Sequence, residues 1–348
     1  MQNTNIFTLL APFICEWDMC RLPNLSLTDY TCIADNTPMT AQLTISDNFR
    51  STVVTTWPKK GSEWLKRLPS IISALEQLWN IRVQEPLKSL SYNFLAHAVM
   101  SNGDPVVIKV GCSEIGRIRE ATALETFTPC KTVAVLEKSE HFNAFLMERV
   151  FPGTPLLDLQ QKNDAAAVEH AAGCIRDLVT PVPNQHKFQS LTDWASILTS
   201  QSPKNVIPGD FIRDAFRMYK TLQSSQQRTC LIHGDLHFEN ILFDQNKGWI
   251  AIDPKGIIAD PSYNAARILR NPYNDLTEAR NLKNILQRRV TILSNVLEES
   301  AYRIAGWGYV DAIIGASWHC NSGTSPKVPL KYAAILWEIL KGSKRNSI

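Results

Sequence analysis

One short run of this chain has the residue types that phosphoryl transfer needs. In His233-Gly234-Asp235-Leu236-His237-Phe238-Glu239-Asn240 four residues separate an aspartate from an asparagine, and Asp253 closes the apolar run Trp249-Ile250-Ala251-Ile252. A hydroxyl nucleophile must be oriented and must lose its proton, so one carboxylate has to face it, and Asp235 is the candidate. A triphosphate donor is strongly anionic, so magnesium must bridge its oxygens. Hard oxygen ligands suit that ion, and Asn240 and Asp253 supply them.

A second set of residues lies upstream. Val106-Val107-Ile108-Lys109-Val110 reads as a strand with one lysine among apolar neighbours, and a buried lysine needs a partner. Glu120, on a helix expected over 114–127, is that partner. A strand lysine that holds the phosphates, oriented by a helix glutamate, together with the Asp235–Asn240–Asp253 spacing, is the constellation of a kinase. The segment 87–99 contains no glycine, so Ser89, Ser91 and Asn93 are the candidate phosphate donors there. Each polar residue taken alone has a plainer reading as an ordinary turn residue; the complete set is what points to catalysis. His233 and His237 read as loop braces, Asp260 as a cap or brace, and Trp307 and Trp318 as core. Arg270 stands open between a buried ion pair and a cleft position.

The elements that must position these groups fall into two kinds. Helical spacing begins at Ser62, a plausible cap, and carries Trp64, Leu65, Leu68, Ile71, Ile72, Leu75, Leu78 and Trp79, with Pro69 expected to kink or divide the run. Strands are expected over 93–100 and 105–110 around the turn Ser101-Asn102-Gly103-Asp104, and again over 133–137 and 144–150. Phe151-Pro152-Gly153-Thr154-Pro155 reads as a compact breaker and a lobe boundary. Beyond it helices are expected over 164–179, 191–200, 209–224, 277–300, 302–318 and 328–341, interrupted by two short strands, 241–243 and 249–252. The expected class is α+β: a poorly patterned extension over 1–50, a small strand-rich lobe over 51–150, and a large helical lobe over 151–348.

Composition sets outer limits. Of 348 residues 44% are hydrophobic and 20% charged, proportions of a folded globular chain rather than a disordered one. A net charge of +3 excludes a nucleic-acid protein that works by bulk charge. The apolar run Ile6–Ile14 is too short to span a membrane, and no basic residue precedes Arg21, so the chain reads as neither secreted nor membrane-spanning. The 8 cysteines include no C-x-x-C pair and read as reduced thiols of a cytoplasmic protein. No oligomeric state follows from any of this.

The chain resembles the aminoglycoside phosphotransferases, in the branch that holds streptomycin 6-phosphotransferase and hydroxyurea phosphotransferase. The matching words are Leu90-Ser91-Tyr92-Asn93, Val107-Ile108-Lys109, Arg119-Glu120-Ala121, Leu146-Met147-Glu148-Arg149, Pro152-Gly153-Thr154-Pro155-Leu156, His233 to Leu242, Ala251-Ile252-Asp253-Pro254-Lys255-Gly256 and Leu269-Arg270-Asn271-Pro272. They span most of the chain, from about residue 57 to 340. The word Asp253-Pro254-Lys255-Gly256 separates this branch from protein kinases, which carry Asp-Phe-Gly. The resemblance implies a kinase-like two-lobe fold with ATP and Mg2+ in the cleft. It makes Met147–Val150 the hinge, with the Glu148 carbonyl and the Val150 N–H on the adenine, and it sets Lys255 toward the γ-phosphate or the acceptor.

The implied partner is a small-molecule acceptor, streptomycin or a similar aminoglycoside, with no nucleic acid and no membrane. Aminoglycosides are polycations and call for an acidic pocket. From Ala265 to Ile348, however, twelve Lys and Arg stand against six Asp and Glu, and Trp318-His319-Cys320-Asn321 carries no acid. Asp275, Glu278 and Asp311 are the candidates to compensate. Two alternatives stay open: the same chemistry on hydroxyurea or a cellular metabolite, and a catalytically silent nucleotide-binding module.

Overall fold

The structure is a computed structural model. It describes residues 45–88, 90–112, 114–127, 131–199, 206–272 and 281–345. Most of the expected extension, and with it Cys15, Cys20, Cys32 and Cys130, lies outside them, as do Ser89, Ser200, Asp275, Glu278 and the first residues of the helix expected over 277–300.

The chain enters through two helices, α1 (Asp47–Thr56) and α2 (Pro58–Trp79), whose buried faces cover one side of a sheet. Ser46 caps α1 by accepting from Phe49 N at 3.3 Å, and Phe49 is fully buried. Proline sits at the first turn of α2, where its missing N–H has no intrahelical partner to lose. The helix therefore starts at Pro58 and not at Ser62, whose hydroxyl instead donates back to the Pro58 carbonyl at 2.7 Å. Pro69 does not divide α2: it lies on the exposed side, where water can serve the carbonyl it leaves unbonded. Trp64, Leu65, Leu68, Ile71, Ile72, Leu75 and Trp79 face inward at helical spacing on both sides of Pro69.

The sheet beneath has the order β1-β2-β3-β5-β4, all antiparallel: β1 (Ile81–Pro86), β2 (Asn93–Met100), β3 (Pro105–Gly111), β4 (Val135–Ser139) and β5 (Ala144–Glu148). Central β3 is buried on both faces, and the alternation of a strand sorts them. Val106, Ile108 and Val110 pack toward α1 and α2, while Lys109 shares the opposite face with its cross-strand partner Phe145. Helix α3 (Glu114–Thr126) lies on that second face, with Ala121 and Leu124 against Val133, Phe145 and Ile250.

The expected breaker is a strand. β6 (Pro152–Pro155) pairs antiparallel with β10 (Ile241–Asp244), which pairs with β11 (Gly248–Ala251). The order between them is α4 (Leu156–Lys162), α5 (Asp164–Asp177), β7 (Thr180–Pro181), β8 (Gln189–Ser190), α6 (Leu191–Ala195), α7 (Gly209–Ser224) and β9 (Cys230–Ile232). β12 (Ile257–Ala259) then joins β7, β8 and β9 in a small sheet. The chain closes with α8 (Ala265–Leu269), α9 (Leu282–Leu297), α10 (Ala301–Asn321) and α11 (Lys327–Arg345). α10 is buried on nearly every side and runs through the middle of the helical part, with Trp307 fully enclosed. The fold is thus α+β, an antiparallel sheet region followed by a helical region. No helix among the described residues is long and apolar enough to cross a membrane.

Candidate active site

The site is built from two loops stitched to each other. Residues 233–240 run from β9 to β10, and residues 252–256 run from β11 to β12. The His233 carbonyl accepts from Lys255 N at 2.9 Å and Gly256 N at 3.2 Å, and the Asn240 carbonyl accepts from Ile252 N at 2.9 Å. His233 is fully buried between the loops: Nε2 donates to the Ile252 carbonyl at 2.8 Å, and Nδ1 accepts from Asp235 N at 3.2 Å. Burial pushes this imidazole down to about 4, which keeps it in the neutral tautomer that both bonds require. The expected role of His233 as a brace is what the bonds describe. His237 instead lies 3.4 Å from the Glu239 carboxylate.

Two backbone positions set the loop shape. Gly256 has φ +62°, and a Cβ there would come within 2.9 Å of Ala123 Cβ and 3.0 Å of the Phe188 ring, so only glycine fits. Asp253 has φ +58°, a conformation rare for a residue with a side chain, and it turns the carboxylate away from the strand it follows.

Lys109, Glu120 and Asp253 meet although they come from β3, α3 and the loop after β11. Lys109 Nζ donates to Glu120 Oε1 and to Asp253 Oδ1, each at 2.7 Å. Lysine and glutamate are almost fully buried, whereas the Asp253 side chain is 34% exposed and opens outward. Asn240 donates its amide Nδ2 to the Asp235 carbonyl at 3.0 Å, which leaves its amide oxygen on the other side, and Asn240 adjoins Ile252, one residue before Asp253. Asn240 and Asp253 thus stand on two loops joined by a backbone hydrogen bond, and each carries a side-chain oxygen. Among the described residues no group of three or more His, Cys, Asp or Glu gathers to hold a metal.

Asp235 is the carboxylate of the 233–240 loop. Lys255 Nζ stands 3.8 Å from its Oδ2, and Arg267 Nε stands 3.6 Å from its Oδ1. Burial pushes this carboxyl upward, but Arg267 and Lys255 outweigh it and hold the group at about 2. It stays ionised at any ordinary pH. Lys255, placed by the resemblance on the phosphate or the acceptor, stands beside Asp235.

The remaining expected nucleotide contacts are placed less tightly. Glu148 ends β5; its backbone N–H donates to the Ala134 carbonyl at 3.0 Å, and its Oε1 accepts from Ala134 N at 2.8 Å and from Lys247 Nζ. Val150 follows, half-buried, in an apolar cluster with Ala121, Val133, Phe145, Met147, Ile250 and Ile252. That cluster draws on both the sheet and the β10–β11 hairpin. Ser91 is half-buried in the bend before β2.

The sequence reading missed Arg267 and Tyr263 and misjudged Asp311. Asp311 does not compensate charge in an acceptor pocket. It is fully buried in α10, where Tyr263 Oη donates to Oδ1 at 2.7 Å and Arg270 Nε to Oδ2 at 2.6 Å, with Arg267 Nη2 3.6 Å from Oδ1. Arg270 is thereby a buried ion-pair member. Burial pushes the Asp311 carboxyl upward, but Arg267 and Arg270 more than offset it and hold it below the usual aspartate range. The available signal was the run Ala265-Ala266-Arg267-Ile268-Leu269-Arg270: two arginines in an apolar stretch need buried partners. Asp260 accepts from Ser262 N at 2.9 Å and pairs with Arg303, as expected of a loop brace.

Comparison with known proteins bears on the same residues. Residues 82–323 match the family model described as aminoglycoside/hydroxyurea antibiotic resistance kinase. A streptomycin 6-kinase of Streptomyces glaucescens is 25% identical over 291 residues, 82% of this chain and 92% of that protein. A hydroxyurea phosphotransferase of Kitasatospora aureofaciens is 25% identical over 288 residues, 81% of each. Among solved structures, the choline kinase LicA of Streptococcus pneumoniae superposes with a TM-score of 0.55 at 13% identity, covering 79% of this chain and 99% of that one. That likeness is one of fold: a kinase-like architecture.

Proposed function

The chain belongs to the aminoglycoside/hydroxyurea antibiotic resistance kinases and is a phosphotransferase acting on an alcohol group; from that premise we propose that it moves the terminal phosphoryl group of ATP, with magnesium, to a hydroxyl of an aminoglycoside such as streptomycin. The observation that carries the reading is the meeting of Lys109 with Glu120 and Asp253 at 2.7 Å, beside the loop that holds Asp235 and Asn240.

In this reading residues 51–150 form the nucleotide lobe and 151–348 the lobe with the catalytic loop and acceptor site. Glu148 and Val150 hold the adenine through their backbone, and Ser91 faces the phosphates. Lys109, kept extended by Glu120, binds the phosphates. Asn240 and Asp253 would hold magnesium, which when bound neutralises charge on the phosphate oxygens. Asp235 orients the acceptor hydroxyl and takes its proton. Its ionised state leaves it able to accept that proton. Lys255 faces the group in transfer. Most of the rate acceleration then comes from positioning and charge stabilisation. A need for ATP fits a cytoplasmic location.

One observation favours a second acceptor. The Asp235 carboxylate already faces Lys255 and Arg267, and Asp311 is taken up by two arginines, so these acids offer little to a polycation. An uncharged hydroxyl compound such as hydroxyurea suits that environment better. The deciding experiment is ADP release from magnesium-ATP with streptomycin, hydroxyurea and a panel of other aminoglycosides, with Asp235→Ala as control. Streptomycin-dependent release absent from the control supports the first reading, and release with hydroxyurea alone the second. Nucleotide binding without release on any of these acceptors would remove both acceptor readings and leave an untested metabolite or a silent binding module.

A further inference from the structure

The two oxygens of the Asp235 carboxylate face different cations. Oδ2 faces Lys255, whose side chain is 31% exposed; Oδ1 faces Arg267, which is only 6% exposed. Lysine is a point charge on a flexible, part-exposed stem and can shift, whereas the buried guanidinium is a rigid plane held in one place. Arg267 is also anchored at its far end. Its Nη2 lies 3.6 Å from Asp311 Oδ1, and Asp311 is locked by Tyr263 and Arg270 inside α10. Its backbone is tied too: the Arg267 carbonyl accepts from Asn271 Nδ2 at 2.8 Å and from Arg270 N at 3.3 Å. A rigid path thus runs from the most buried helix, through one guanidinium, to one oxygen of the aspartate.

We propose that Arg267 is a positioning residue for phosphoryl transfer: it draws Oδ1 of Asp235 toward α8 and so presents Oδ2 to the acceptor hydroxyl. The inference rests on Asp235 being the carboxylate that meets the acceptor. Two torsions otherwise leave an aspartate free to turn, and a misplacement of about 1 Å in a reacting group costs about a hundredfold in rate. Both guanidinium separations of 3.6 Å exceed a direct hydrogen bond, so the hold is electrostatic and the carboxylate keeps its acceptor capacity for the substrate.

The test compares wild type with Arg267→Met and Arg267→Lys, using magnesium-ATP with streptomycin and with hydroxyurea. Arg267→Met should lower kcat by at least about tenfold while calorimetric affinity for magnesium-ATP stays within about twofold. Arg267→Lys should recover part of kcat, since it restores the charge on a more flexible stem. In crystals of Arg267→Met the Asp235 carboxylate should leave its wild-type orientation. Unchanged kcat with intact nucleotide binding overturns the proposal. So does loss of nucleotide binding together with kcat in both variants, because the residue is then merely structural. A wild type silent with every acceptor counts against the proposed function, and the orientation of Asp235 in the Arg267→Met crystals then decides the role of Arg267 alone.

Discussion

Withdrawing the charge of Asp311 probes how the site is held from behind. Asp311→Asn keeps the shape of a fully buried side chain but removes the negative charge between Arg267 and Arg270, which are 6% and 1% exposed. Removing one member of a buried ion pair costs about 3–5 kcal/mol, because the other charge stays buried without compensation. Arg270 should bear most of this, since it lies 2.6 Å from the carboxylate, while Arg267 at 3.6 Å still has Asp235. The amide oxygen can go on accepting from one donor, so the lower end, about 3 kcal/mol, is expected. That is a large share of the roughly 5–15 kcal/mol that separates a folded domain from its unfolded chain. Equilibrium urea unfolding followed by tryptophan fluorescence reads it, with the fully buried Trp307 as a reporter in the same helix. Adding Arg270→Met to Asp311→Asn removes the stranded cation and should recover much of the loss. A single variant that loses less than about 1 kcal/mol, or a double variant no more stable than the single one, would refute the reasoning.

Three further outcomes are expected. Asp253→Asn should keep the fold but weaken magnesium-dependent ATP binding by at least about tenfold, and unchanged affinity by titration calorimetry would remove Asp253 as a metal ligand. Gly256→Ala should lower stability by about 1–2 kcal/mol from its left-handed backbone alone, and more from the contact with Ala123; a melting midpoint equal to wild type would contradict that account. Acid should destabilise the protein through His233 and His319, both pushed by burial to about 4. A folded-state value below that of free imidazole means their contribution is present above about 6.5 and lost as pH falls through about 4. For His233 the gap corresponds to about 3 kcal/mol, so the urea midpoint should fall steadily from pH 7 to about pH 4.5. A flat profile over that range would show that the two rings are free to protonate in the folded state.

Local sequence was a reliable guide wherever local physics decides. The turn at Gly103, the strands on either side of it and the inward stripe of α2 were legible because period and turn chemistry act over a few residues. Local reasoning failed where distant chain supplied the partner. The segment 152–155, rich in proline and glycine, is a strand because β10 offers it an edge to pair with. Pro69 sits inside a continuous helix because the sheet face beneath fixes both halves of α2. Ser62 is not a cap because Pro58 already starts the helix one turn earlier.

The candidate site divides along the same line. Sequence alone singled out the candidate set, Asp235, Asn240, Asp253, Lys109 and Glu120, since hydroxyl activation and phosphate binding admit few residue types at few spacings. Tertiary structure decided what surrounds them. That Lys109 holds Glu120 and Asp253 at once depends on strand β3, helix α3 and a loop 144 residues away meeting in space. That Arg267 and Lys255 flank Asp235, and that Asp311 serves two arginines instead of an acceptor pocket, depends on how α8 and α10 pack against the loop. Charges counted along a chain carry no sign of which will be neutralised by burial beside an opposite charge. The reaction type is written in short words of sequence, and the electrostatic setting of the acceptor is written only in the packing.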